Sequence, residues 1–258
     1  MQPLSTMPAA VARQIETLFT DIDDTLTSAG RVPAAAYEAL WRAWDAGLEV
    51  VLVTGRPAGW CDHLARQWPV RAVIGENGAL AFALIDGQLL RLFAPRPADA
   101  DARLAAIRAQ VLAEVPGCRV AADQHYRYCD LAIDIAEEVA PLPDAAVDRI
   151  VAIFTAHGAV AKVSSIHVNG WYGAHDKLSM CQRWSHELRG RALDPRRATF
   201  IGDSPNDAPM FAAFPHACGV ANLQRLAPRI TPLPRYLTSA AGGEGFAELV
   251  THLLAARR

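Results

Sequence analysis

The feature that most constrains this chain is a set of short, continuously apolar runs, each stopping at a polar or glycine-rich cluster. Leu18-Phe19-Thr20 stops at Asp21, Val50-Val51-Leu52-Val53 at Thr54-Gly55-Arg56-Pro57, Ala72-Val73-Ile74 at Gly75-Glu76-Asn77-Gly78, and Ala198–Ile201 at Gly202-Asp203. A short β-branched run without polar alternation is what a strand buried on both faces requires, as in a parallel sheet covered by helices. Helical periodicity fills the gaps. Over residues 33–46, Pro33 suits a first turn, Tyr37, Leu40, Trp41 and Trp44 recur at helical spacing, and Gly47 is a fitting stop. The expected fold class is α/β, with a Rossmann-like parallel sheet core.

After Gly78 the rhythm changes. Ala79–Ile85 and Leu89–Phe93 flank Asp86-Gly87, a hairpin signal. Leu104, Ile107 and Val111 mark a helix, as do Val147, Ile150, Val151 and Phe154. Strands are expected at Arg119–Ala122, Tyr128–Ile135 and Val160–Val168. From residue 176 the βα rhythm returns. Roughly 30 residues separate Asp21 from Thr54, one βαβ unit, whereas about 120 separate Thr54 from Lys177. The expected organisation is therefore a catalytic core of residues 1–79 and 170–258, with an inserted α+β cap domain at 80–169.

Composition removes several classes of function. The 258 residues carry 25 Lys and Arg against 27 Asp and Glu, a net charge of −2. With no basic block, nucleic acid is not an expected partner. No apolar run approaches the ~18 residues of a membrane span, so no membrane is expected either. Met1–Ala12 lacks the basic start of a secretory leader. The cysteines, Cys61, Cys118, Cys129, Cys181 and Cys218, are scattered and odd in number. They read as buried reduced thiols of a cytoplasmic protein. No protein partner is implied.

Four polar clusters carry chemistry. In Thr20-Asp21-Ile22-Asp23-Asp24-Thr25, residues two apart in extended backbone share a face, so Asp21 and Asp23 can line one pocket. Carboxylates that close repel unless a cation joins them, and hard oxygen ligands suit Mg²⁺. The same residue types also make capped turns. In Thr54-Gly55-Arg56 a hydroxyl and a glycine amide at a strand end can cradle a phosphate, or simply cap the next helix. Lys177, opening a helix, is disfavoured by the dipole unless an anion holds it there. Gly202-Asp203-Ser204-Pro205-Asn206-Asp207 offers further acids at a strand end, or an Asx turn before a helix.

Taken together and in order, Asp21-x-Asp23-x-Thr25, Thr54, Lys177 and Gly202-Asp203-x-x-Asn206-Asp207 resemble the motifs of the haloacid dehalogenase-like phosphohydrolases. The long interval between Thr54 and Lys177 resembles the subgroup with a type IIB α+β cap, which includes sucrose-phosphate and mannosyl-3-phosphoglycerate phosphatases. Asp24 departs from the glycine common there. The resemblance implies a Mg²⁺-dependent phosphomonoesterase acting on a small phosphorylated metabolite, a sugar phosphate by preference. Asp21 would be the nucleophile and Asp23 the acid and base. Asp21, the Asp23 carbonyl, Asp203 and Asp207 would hold Mg²⁺, and Thr54, Gly55, Lys177 and Asn206 would surround the phosphate. Arg56 and the hinge residues Glu76 and Asn77 are candidate substrate contacts. So are His167 and Asn169 of the cap, although their alternation also suits the wet face of a strand. The polar cluster Asp123, His125, Tyr126, Arg127 and Tyr128 is a further candidate. Trp60, Trp68, Trp171 and Trp184 are expected in the core or hinge. Competing readings are a phosphosugar mutase of the same fold and a non-enzymatic phospho-switch.

Overall fold

The computed structural model describes residues 1–257. The larger sheet contains β1 (Gln2–Pro3), β2 (Thr17–Thr20), β3 (Glu49–Val53), β4 (Ala72–Gly75), β5 (Leu80–Ile85) and β6 (Gln88–Phe93). The smaller sheet contains β7 (Arg119–Val120), β8 (Leu131–Asp134), β9 (Val160–Val163) and β10 (His167–Trp171). The chain then returns to the larger sheet as β11 (Ala198–Gly202), β12 (Cys218–Gly219) and β13 (Tyr236–Leu237). The larger sheet runs in the order β1-β13-β12-β11-β2-β3-β4-β5-β6. It is parallel from β1 to β4 and antiparallel across β5 and β6. The fold is thus α/β with a mostly parallel central sheet. Phe19, Val51, Val53 and Phe200 point into one apolar cluster, and Leu18, Val50, Leu52 and Ile201 into the other, which is why these strands show no polar alternation.

Helices cover both faces: α1 (Ala9–Gln14), α2 (Ala34–Asp45), α3 (Ala58–Gln67), α6 (Lys177–Arg183), α7 (Ala208–Ala213) and α8 (Gly242–Ala255). The periodicity over 33–46 identifies α2 but misreads its inner face. Ala36, Ala39, Leu40 and Ala43 are buried, whereas Tyr37, Trp41 and Trp44 are at least one-third exposed. Alanines let α2 lie close against α8, and the bulky rings stay at the rim, Trp44 beneath Arg71 and Tyr37 against Trp68.

Two strand expectations need correction. The hairpin at 80–93, read with the inserted unit, extends the larger sheet instead, with Val73 opposite Phe82 and Ile74 opposite Ala81. Leu80 and Phe82 enter one core cluster and Ala81 and Ala83 the other, so β5 is covered on both faces like the parallel strands. The segment Val160–Val168, read as one strand, is two antiparallel strands around a turn at 164–166. The Ser164 hydroxyl makes that turn by accepting from the amide of His167 and donating to its carbonyl. The smaller sheet is antiparallel, in the order β7-β8-β10-β9. α4 (Ala100–Glu114) and α5 (Asp144–Ala156) pack on one face of it, through Leu104, Ile107, Val111, Ile150 and Phe154.

All five cysteines are buried and free. Trp171 and Trp184 are buried, but Trp60 is 40 % exposed. Its ring carries the Arg56 guanidinium, 4.4 Å from the ring centre. No helix among the described residues is long and apolar enough to cross a membrane.

Candidate active site

In an open parallel sheet, the crevice forms beyond the carboxyl ends of strands where the strand order reverses. Here that point is β2, with β3 on one side and β11 on the other. Asp21 follows β2, Thr54 follows β3 and Asp203 follows β11, so the topology brings three of the sequence clusters to one crevice. Lys177 arrives from α6, whose start is fixed by Asp176 accepting from the Ser179 amide. Gly78, at φ 101°, permits this approach: a β-carbon there would sit 2.0 Å from the Asp176 carbonyl oxygen. Gly202 is needed for the same kind of reason, because a β-carbon would lie 2.3 Å from the Asp207 carboxylate.

Lys177 Nζ donates to Asp21 Oδ2 at 2.9 Å and to Asp207 Oδ1 at 2.6 Å, with the lysine almost wholly buried. The second Asp207 oxygen accepts from the amides of Asp203 and Ser204. Asp21 Oδ1 accepts from the Ile22 amide at 2.8 Å. Asp203 accepts from the Thr25 hydroxyl and the Asn222 amide group. One carboxylate oxygen from each of Asp21, Asp203 and Asp207 lies within 4.8 Å of the others. Burial pushes Asp21 up to about 7, against the pull of Lys177 and with help from Asp207 and Asp23. Burial and the neighbouring Asp207 and Asp21 raise Asp203 well above the carboxylate range. Burial alone would lower Lys177; Asp207 and Asp21 hold it above its ordinary value. Three buried carboxylates against one ammonium leave two negative charges uncompensated when all are ionised. A hard divalent cation matches both that deficit and the all-oxygen donor set.

Asp23 is not part of this cluster. Its carboxylate turns to Arg56, receiving Nε at 2.9 and 3.0 Å and Nη2 at 2.7 Å. The buried Thr54 hydroxyl accepts from the Arg56 amide at 3.0 Å. Asp24 has φ 55°, the left-handed region that glycine favours, which accounts physically for its being an unusual occupant.

The remaining expected contacts divide. Gly55, Arg56, His167, Asn169 and Asn206 line a small cavity with Asp21 and Asp23. The alternation of His167 and Asn169 marks no wet face: both are 2 % exposed and look across at the larger sheet's loops. Asn169 donates to Asp130, and His167 Nε2 lies 2.9 Å from Glu137. Glu76 does not reach this cavity. It is fully buried and accepts from the amides of Ala58, Tyr128, Cys129 and Asp130, tying the smaller unit to the end of β4. Its carboxyl is pushed up to about 7 by burial and by Asp130, partly offset by these amides. Asn77 accepts from Asn206 at 3.1 Å and braces the β4 loop against the Asp203 loop. In the 123–128 cluster, Arg127 joins Asp123, Asp130 and the Gly55 carbonyl, while Tyr126 and Tyr128 face solvent.

Glu137, Asp130 and Asn222 were not singled out from the sequence. Glu137-Glu138 reads as a solvated acidic turn, and only the tertiary fold brings it to Arg56, with Oε1 2.7 Å from Nη2. His167 and Arg56 hold the Glu137 carboxyl down at about 2.

Residues 18–94 match the family model described as haloacid dehalogenase-like hydrolase. A phosphoglycolate phosphatase of Pyrobaculum neutrophilum is 32% identical over 242 residues, covering 92% of this chain and 95% of that one. One of Methanothrix thermoacetophila is 29% identical over 244 residues, covering 94% and 98%. Among solved structures, Thermoplasma acidophilum 0175 superposes with a TM-score of 0.72 at 21% identity, covering 93% of this chain and 98% of that one. A sugar phosphatase of HAD subclass IIB superposes with a TM-score of 0.65 at 14% identity, covering 93% and 99%. These two structures speak to the fold. With its motifs in order and phosphatase relatives aligned over nearly its whole length, the chain belongs to the haloacid dehalogenase-like hydrolases and is a phosphoric monoester hydrolase.

Proposed function

We propose that this chain hydrolyses a small carboxylated phosphomonoester, 2-phosphoglycolate or a close analogue, with Mg²⁺ and through an aspartyl-phosphate on Asp21. The observation that carries the reading is the convergence of Asp21, Asp203 and Asp207 around Lys177 at the carboxyl ends of β2 and β11. Asp21, Asp203, Asp207 and the Asp23 carbonyl would hold the ion. Bound there, it would offset the repulsion between a phosphate dianion and the carboxylates. Lys177, the Thr54 hydroxyl and the Gly55 amide bind the phosphoryl oxygens. An Asp21 oxygen attacks phosphorus as the bond to the leaving oxygen breaks, and Asp23 protonates that oxygen. Asp23 then takes a proton from water, whose oxygen displaces Asp21 and releases phosphate. The enzyme class sets the phospho-switch aside.

We take residues from about 94 to 170 as the cap, joined to the core at Glu76. The small cavity among Asp21, Asp23, Arg56, His167 and Asn169 shares Ser164 and Ser165 with a larger one of about 500 Å³ that runs past Asp24 and Asp203 to Ile135 and Ala136. The relatives aligned over 90–94% of the chain are named for phosphoglycolate. The test is phosphate release from 2-phosphoglycolate and from hexose 6-phosphates, with Mg²⁺ and with chelator. The expected result is kcat/KM at least about tenfold higher for 2-phosphoglycolate, the order of selectivity that differing by one or a few groups provides, and no release under chelator. A preference for hexose phosphates, or indifference to chelator, contradicts the proposal.

A further inference from the structure

Arg56 is the only side chain bonded to the Asp23 carboxylate among the described residues, and it is itself gripped from the cap. Its Nη2 meets Glu137 Oε1 at 2.7 Å, and its face rests on Trp60. Glu137 Oε2 lies 2.9 Å from His167 Nε2, so one carboxylate joins the core arginine to a cap histidine. The segment presenting Glu137 is built for the purpose. Asp134, buried at the end of β8, accepts from the amides of Ala136, Glu137 and Glu138. In the sheet register Asp134 is opposite His167, which places the histidine beside the same turn.

We propose that Glu137 is a positioning residue for the chemical step: by holding Arg56 from the cap, it fixes the Asp23 carboxyl where the leaving oxygen must be protonated. Arginine has a long, many-jointed stem, and an acid–base group must be held to within about half an ångström. The bidentate contact orients Asp23 only as well as the guanidinium is itself oriented. In this structure that orientation comes from Trp60 below and Glu137 above, with Asp123 at 3.5 Å the weakest contact. Because Glu137 belongs to the cap, Asp23 reaches its working position only when the cap is shut on substrate. Proton donation is thereby coupled to closure, and water meets an imperfectly placed acid while the site is open.

This inference rests on the reading of Asp23 as the acid, and the test separates the two. Glu137→Gln keeps shape and removes charge. Full-length wild type, E137Q and D23N are compared on p-nitrophenyl phosphate, whose leaving group departs without a proton, and on 2-phosphoglycolate and glycerol phosphate, whose leaving alkoxides need one. Losing a placed general acid costs about 10²–10⁴-fold, so a mispositioned one should cost about tenfold or more. The expected result for E137Q is a fall of that size in kcat for the alkyl esters, with KM moving less than kcat. On the aryl ester kcat should fall less than about threefold, which also reports that the variant is folded. D23N should show the same selectivity, larger. If E137Q loses both esters equally, or neither, while D23N is selective for alkyl esters, the role of Glu137 is overturned. If D23N shows no selectivity, the acid assignment beneath it fails as well.

Discussion

Lys177 shows how far a single residue can be read. A lysine at the first position of a helix opposes the macrodipole, and the anions that hold it there prove to be Asp21 and Asp207. The acids of the motifs were legible only in combination, because singly the same residue types also make capped turns and Asx turns. Glu137 was not, since nothing local separates it from a solvated turn. Nor was the position of Glu76: an acid beside Asn77-Gly78 near a strand end suggests a ligand, yet the fold buries it against four amides. His175 supplies a prediction at this scale. Its ring stacks on Trp171 at 5.3 Å, and burial lowers its pKa to about 4 from 6.5. The unfolded chain therefore takes up this proton first as pH falls. Stability from this group is complete above pH 6.5 and is lost towards pH 4, up to about 3 kcal/mol. H175F should flatten that limb of the Tm–pH curve; an unchanged limb would mean that the ring is not held neutral in the fold.

Among the elements, the parallel strands were legible because both their faces are buried, which leaves an uninterrupted apolar run. The hairpin at 80–93 was recognised as a hairpin, with Asp86 and Gly87 at φ 49° and 76°. Its allegiance was not, because periodicity reports burial and not which sheet a strand joins. The division at 164–166 was hidden by β-branched residues on both sides of the two serines. The element whose chemistry is most exposed to test is the joint at the end of β4. There Glu76 and Asn77 both occupy the left-handed region, at φ 47° and 54°, a strained conformation held by the contacts around it. E76A would strand several amides without an acceptor, and about 2–4 kcal/mol of stability should be lost in urea denaturation. A loss below about 1 kcal/mol would show that water replaces the carboxylate and that the joint is not built on it.

At the scale of the whole molecule, two contacts of different kinds join the two units. Glu76 is a fixed tie near the point where the chain passes between them, and the Glu137–Arg56 pair is a contact that closure makes. Near neutrality in net charge conceals a strongly uneven interior, where acids, one lysine and one arginine are concentrated at the sheet's carboxyl edge. The overall α/β architecture could be read from rhythm and spacing alone. The seam between the units could not, since it depends on side chains distant in sequence. The central claim is that Asp21 accepts the phosphoryl group. It is tested most directly by acid-quenching the enzyme during turnover of 2-phosphoglycolate with Mg²⁺ and locating the phosphoryl group by peptide mass spectrometry. The account predicts phosphate on the peptide carrying Asp21, none under chelator, and neither phosphoenzyme nor released phosphate with D21N. Turnover by D21N at the wild-type rate, or phosphate carried on another residue, would contradict it.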